Sequence, residues 1–276
     1  MNRIPRSLVL ILAVAALALA SAGCNKLKAR DALNKGVAAY KGGQFDAAIE
    51  YFKQAKKDDP ELLNARLYLA TAYASQYIPG APSEENVRNG QQAIAEFQEV
   101  LKMKPDNLSA VDGIGSIVFQ MGGSPYDPKK FEESREYHKM HIKIRSEDPE
   151  PYYWVGVITW TLSFRANGEA RIDYKQKNPT KPLKDEAPLP PKVREELAPK
   201  YLPLVDEGIQ YLKDAMERRA EYDDAMAYLN LLYRQKADLV ESPQERDEYI
   251  RMADELVDKV KAIKQRKMEA PAPAKE

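Results

Sequence analysis

Apolar positions fall into two patterns along this chain. Leu8 to Ala20 is an unbroken apolar run of thirteen residues. From residue 29 onward, apolar and small residues are interleaved with charged ones and recur on the spacing of helix faces. The stretch GVAAYKGGQFDAAIEYFKQAKKDDP carries Gly36, Tyr40, Gly43, Phe45, Ala48, Tyr51, Phe52, Ala55 and Pro60. This spacing predicts two antiparallel helices. Gly36 and Ala48 are small where the helices cross, and Tyr40, Phe45 and Phe52 fill the space toward the next pair. Gly43 sits in the turn, and Pro60 ends the second helix after Asp58 and Asp59.

The period continues, with insertions. A second unit (63–107) has Leu69 and Ala70 on its first helix, then Ala93, Phe97, Val100 and Pro105. Its eleven extra residues fall in IPGAPSEENVRNGQ. A third (108–149) has Ile114 and Gly115, a loop GGSPYDP, then Phe131, Ser134, His138 and His141. A fourth (150–219) opens with Tyr152, Val155, Gly156 and Trp160, and its second helix holds Gly208, Ile209, Leu212 and Ala215. A fifth (220–262) starts at Asp223 and pairs with a helix beginning at Pro243. That last helix continues to about Lys267 with one charged face, as a cap on the array. The fourth unit contains an insert at about 167–201. Seven of the nineteen prolines lie between Asn178 and Pro203, a density that predicts extended chain clasping the array, with one or two helical turns at VREEL. A ligand for a proline-binding domain is the other use of such a segment. Residues 263–276 are expected to be a helix end and a disordered tail.

The leader has Arg3 and Arg6 before the apolar run, then Ser21, Ala22, Gly23 and Cys24. Thirteen residues span about 20 Å as a helix, short of the roughly 30 Å hydrocarbon core, so residues 1–23 read as a signal peptide.

The spaced pattern of residues 29–62 resembles the tetratricopeptide repeat, and that resemblance extends over nearly all of 29–262. It implies an all-α fold: a right-handed α-solenoid of about five antiparallel helix pairs, stable as a sum over neighbouring interfaces. Gly36, Ala48, Ala55, Pro60, Gly156 and Ala215 are its implied packing positions. First-helix positions that face the concave groove are Leu33, Val37, Tyr40, Lys41, Leu67, Thr71, Asp112, Ser116, Phe119, Tyr153, Val157, Trp160, Ala227, Leu231 and Arg234. Of these, Tyr40, Phe119, Tyr153, Trp160 and Arg234 are the candidate partner contacts, with Leu183 or Leu189 of the insert as covers for Trp160. Leu33 and Val37 stand where repeats that clamp a C-terminal carboxylate use Lys and Asn. Aromatic and aliphatic contacts are therefore expected instead.

Residues 21–24 resemble a bacterial lipobox, with Ser21 where Leu is usual. The resemblance implies cleavage before Cys24 and its lipid modification, leaving 24–28 as a tether. Asn25 implies attachment to an outer membrane facing the periplasm, where the source has two membranes. Cys24 is the single cysteine, which removes intrachain disulfides, cysteine zinc clusters and CxxC chemistry.

Charge and motifs narrow the function further. There are 42 Lys+Arg against 42 Asp+Glu, so no broad field draws in nucleic acid. His138 and His141 share a helix face but align with repeat-packing positions and lack further ligands, so no metal is expected. No nucleotide or nucleophile motif occurs, and the pairs Glu84–Glu85, Glu132–Glu133 and Glu195–Glu196 read as solvated faces. The expectation is a non-enzymatic, cofactor-free scaffold, lipid-anchored in a bacterial envelope complex for assembly, secretion or pilus formation, with a protein or peptide in its groove. The alternative is an envelope enzyme or solute-binding lipoprotein whose site the 167–201 insert forms.

Overall fold

The computed structural model describes residues 6–180, 183, 184 and 187–269, with side chains from residue 24. The first five leader residues and the tail beyond Glu269 lie outside them. Among the described residues there is no strand, and ten helices follow in order. They are α1 (Arg6–Lys41), α2 (Phe45–Asp58), α3 (Leu63–Gln76), α4 (Glu84–Met103), α5 (Leu108–Gly123), α6 (Pro128–Ile144), α7 (Pro149–Lys177), α8 (Pro191–Arg218), α9 (Asp223–Leu239) and α10 (Pro243–Glu269). None of the described helices is long and apolar enough to cross a membrane.

Side-chain caps start α4, α5, α6 and α7. Asn107 accepts from the Ala110 amide at 3.0 Å, and Asp148 from the Glu150 amide at 3.0 Å. Asp127 and Asp148 are each followed by a proline at the first helical position, where no amide donor is needed. The turn between α1 and α2 needs a left-handed residue, and Gly43 supplies it with φ of 73°.

The chain divides into two compact units, Met1–Pro125 and Tyr126–Glu276. In the first, α1 pairs with α2 and α3 with α4, and the alternate helices α1, α3 and α5 touch in succession. Its core includes Phe52, Leu69, Val100, Val111 and Ile114, all buried. Ala48 and Ala55 are fully buried there, whereas Pro60 is an exposed turn residue just past α2. Gly36 is a contact point of α1 with α2: a Cβ there would lie 2.5 Å from the Phe52 ring.

In the second unit α7 pairs with α8 and α9 with α10, α6 packs on α7, and α8 and α7 both touch α9. Val205, Ile209, Leu212 and Ala215 of α8 join Tyr152, Leu229, Leu232, Ala253 and Leu256 in its core. A Cβ on Gly156 would lie 2.3 Å from Leu212 Cγ, so the same close approach recurs here. The end of α10 is tied back to the start of α9, with Lys267 on Asp223 at 2.5 Å and Arg266 on Glu221 at 2.7 Å.

In the second unit the extra residues divide between a loop at 77–83 and the start of α4, which begins at Glu84. Buried Asn86 makes that loop compact by accepting from the Ile78 amide (2.6 Å) and donating to the Ile78 and Ala81 carbonyls (2.8 and 2.9 Å).

Two expectations are corrected: the proline-rich insert, expected as extended chain, is largely helical. α7 runs on to Lys177, and α8 starts at Pro191 and continues through Pro199 and Pro203 to Arg218. A proline inside a helix costs about 3 kcal/mol. Here the two stand four residues apart, so they share one face, and both are exposed, which leaves the unbonded carbonyls one turn back to water. Opposite them Leu197, Ala198, Tyr201 and Leu202 pack half-buried on the core, and this burial offsets the loss. The second correction concerns Val157, which is not a groove residue: it is only 4 % exposed, inside the core.

Candidate partner-binding site

In the first unit, the alternation of α1, α3 and α5 brings residues from three helices around one pocket of about 390 Å³. Val37, Tyr40 and Lys41 come from α1, Leu67, Tyr68 and Thr71 from α3, and Ser109 from α5, with Phe52 of α2 behind them. The groove positions Val37, Tyr40, Lys41, Leu67 and Thr71 thus line one cavity. Tyr40 is half-buried and fixed: its hydroxyl lies 2.7 Å from Ser75 Oγ, and its ring meets Phe45 edge-on at 5.3 Å. Tyr68 stacks on Phe52 at 5.8 Å while remaining 40 % exposed. The wall is mostly apolar, and Lys41 is the single charged residue lining it. A set-back aromatic floor with a fixed hydroxyl suits an apolar side chain presented by another protein.

Phe119 is half-buried on α5 and does not line this pocket. Leu33 packs beside Ala32, Ala55 and Ala65, so it belongs to the helix contact.

The remaining candidates lie in the second unit. Tyr153 packs against Tyr222 (5.3 Å) and Tyr228 (5.7 Å), and Trp160 against Tyr228 (5.4 Å) and Phe164 (5.0 Å). Burial of Tyr153 pushes its phenol well above the ordinary range, and burial does the same for Tyr222. Both are neutral packing groups. Tyr222 donates to Glu150 at 3.0 Å, which Arg219 also holds at 2.7 Å. Trp160 is half-buried against the core cluster that contains Leu189. Arg234 is engaged within the fold, with Asn230 at 3.0 Å and Asp254 at 2.5 Å. The more open end of the aromatic row is Phe164, which is 50 % exposed.

Sequence reasoning missed Tyr68 and Ser109 of the pocket, and Tyr222 and Tyr228 of the aromatic row. Tyr68 was detectable, since it neighbours Leu67 and is four residues before Ala72 on the same first-helix register. It also missed a polar cluster that closes the insert. Arg171 donates to Asn167 Oδ1 (2.8 Å), to Asp238 Oδ2 (2.8 Å) and to the Ala187 carbonyl (2.9 Å). Asn167 in turn donates to Asp238 (3.0 Å) and Gln235 (3.3 Å). Leu189, just before α8, is buried, and the Ala187 carbonyl is held by Arg171.

His138 is buried and stacks on Trp154 at 5.8 Å. Burial, with the neighbouring His141, pushes it down to about 4, so it is neutral at pH 7. His141 lies 3.5 Å from Asp148. Among the described residues no group of three His, Cys, Asp or Glu side chains is placed to hold a metal ion.

No family model and no curated protein sequence matches the chain. Solved structures do match its fold. A double mutant titled "MamA RS-1 ArsTM" superposes with a TM-score of 0.56 at 14% identity, over 88% of this chain and 98% of that one. MamA 41-end from Desulfovibrio magneticus RS-1 gives 0.51 at 15% identity, over 84% and 96%. YrrB, described as a TPR protein with an unusual peptide-binding site, gives 0.50 at 11% identity, over 85% and 90%. The fold is that of a tetratricopeptide-like helical repeat.

Proposed function

We propose that this chain is a lipid-anchored scaffold, held in a bacterial envelope through Cys24, that takes a protein partner by an apolar side chain entering the α1–α3–α5 pocket. One observation carries the reading: five concave-face positions inferred from repeat register, Val37, Tyr40, Lys41, Leu67 and Thr71, line a single apolar cavity. A peptide site is part of the description of YrrB, which shares the fold. The exposure of Cys24 is consistent with this anchor. The reading places the protein in an envelope assembly, secretion or pilus-type complex and gives it no catalytic step.

Photo-cross-linking tests it. A cross-linker at Thr71 is expected to trap a discrete partner in intact membranes, one at Lys57 on the exposed side of α2 is not, and Leu67→Glu should abolish the product. Equal products from both positions, or none at Thr71, overturn the pocket as the site. Cys24→Ala is expected to release the protein from membranes or leave an uncleaved precursor. Unchanged fractionation of a fully processed protein overturns the anchor.

A further inference from the structure

The segment directly after Cys24 is a short run of cations without acids. Lys26, Lys28 and Arg30 fall within six residues that hold no acid, and the first carboxylate is Asp31. Where an acid stands one turn away on this surface, a cation often sits on it, as Lys53 does on Glu50, Lys102 on Glu99, Lys177 on Asp173 and Arg251 on Glu255. Even Asp31 is taken, by Lys35 at 2.7 Å. Lys26, Lys28 and Arg30 are exposed and have no carboxylate partner among the described residues.

The apolar residue among them is exposed as well. Leu27 is 68 % exposed although it lies on a continuous helix, while Ala29 and Ala32 are buried. At about 3.6 residues per turn, Leu27 and Asn34 share the face opposite those alanines. Lys26 and Arg30 flank Leu27 on one side and Lys28 on the other. Such a face is apolar at its centre and cationic at both edges. Its long basic side chains reach headgroups while Leu27 meets the acyl boundary.

We infer that this face of α1 is a second membrane contact, docking on anionic phospholipid headgroups through Lys26, Leu27, Lys28 and Arg30. The inference rests on the lipid-anchor reading, since an acylated Cys24 would place the face within a turn or two of the bilayer. One anchor holds a protein but leaves it free to swivel. A charged face beside it fixes how α1 lies and therefore which way the first unit's pocket is presented.

The test uses the acylated protein purified from membranes and reconstituted into vesicles. Asn34→Cys, labelled with a fluorophore, provides the reporter, since acylated Cys24 offers no competing thiol. Vesicles of phosphatidylcholine alone are compared with vesicles containing about one-third phosphatidylglycerol, each with a headgroup-linked quencher. Quenching is expected to be about threefold greater on the anionic vesicles. It should fall to the neutral value in about 0.5 M salt and in the triple variant K26Q, K28Q, R30Q. Equal quenching on both vesicles, or an anionic excess that survives the triple variant, overturns the inference. Flotation of the same samples reports the anchor separately. Protein that floats without an anionic excess fails the inference alone, and protein that floats with neither vesicle fails both readings.

Discussion

Arg171 on α7 and Asp238 on α9 meet at 2.8 Å although 67 residues separate them, and the same guanidinium holds the Ala187 carbonyl. Both side chains are largely shielded, with 14 % and 19 % of their surface exposed. Removing one partner therefore leaves a charge and a carbonyl without their bonds. Arg171→Leu is expected to cost about 3 kcal/mol in denaturant unfolding. The double change with Asp238→Leu should cost less than the sum of the singles, and full additivity would show that the pair is not coupled.

Close helix approach sets the sign of glycine substitutions. In an open helical position Gly→Ala gains about 0.5–1 kcal/mol. Gly168 on α7 has nothing within 4 Å of an added Cβ, so Gly168→Ala should stabilise by that amount. At Gly36 and Gly156 the new Cβ would lie 2.5 and 2.3 Å from Phe52 and Leu212, and overpacking of about 1–3 kcal/mol wins. Thermal unfolding of the three variants should give opposite signs for Gly168 and the other two.

His138 makes stability fall in acid. Its folded value is about 4 against an ordinary 6.5, because burial disfavours the imidazolium. The unfolded chain thus binds the extra proton between these values. Its contribution is complete above pH 6.5, declines as the pH drops from 6.5 to 4, and changes no further below, a total of about 3 kcal/mol. His138→Phe should flatten the unfolding free energy across that window. An unchanged slope would remove His138 as its source.

The aromatic row separates stability from recognition. Trp160 is half-buried between Phe164 and Tyr228, so Trp160→Ala should lose about 2 kcal/mol and most of this should return in Trp160→Phe. Phe164→Ser, at the half-exposed end, removes one stacked pair and should cost about 1 kcal/mol, less than Trp160→Ala. Any loss of partner capture in Phe164→Ser, measured by pull-down from membranes, then reports on the surface itself.

The repeat fold was legible because its determinants are local: a glycine against a ring, a turn glycine, and caps read within one or two turns. Register also took Tyr40, Leu67 and Thr71 to one wall. It misplaced Val157, because burial there is set by the second unit's own packing. The prolines of α8 misled for a related reason. Their penalty is local and visible in sequence, whereas the burial of Val205, Ile209 and Leu212 that outweighs it depends on α7 and α9. The Arg171 cluster joins residues from three separate stretches, and no spacing rule connects them.

Those prolines also set an order of opening within α8. Pro199 and Pro203 donate no amide bonds, so the turns from Pro191 to Pro203 are held by fewer rungs than the turns after Val205. Native-state amide exchange should therefore show the first half of α8 opening at a lower free energy than the second, while Ile209 and Leu212 stay docked. Lengthening or shortening the chain between Lys177 and Pro191 would be absorbed in that first half. The boundary at Val205 marks how far such changes can travel before they reach the repeat itself.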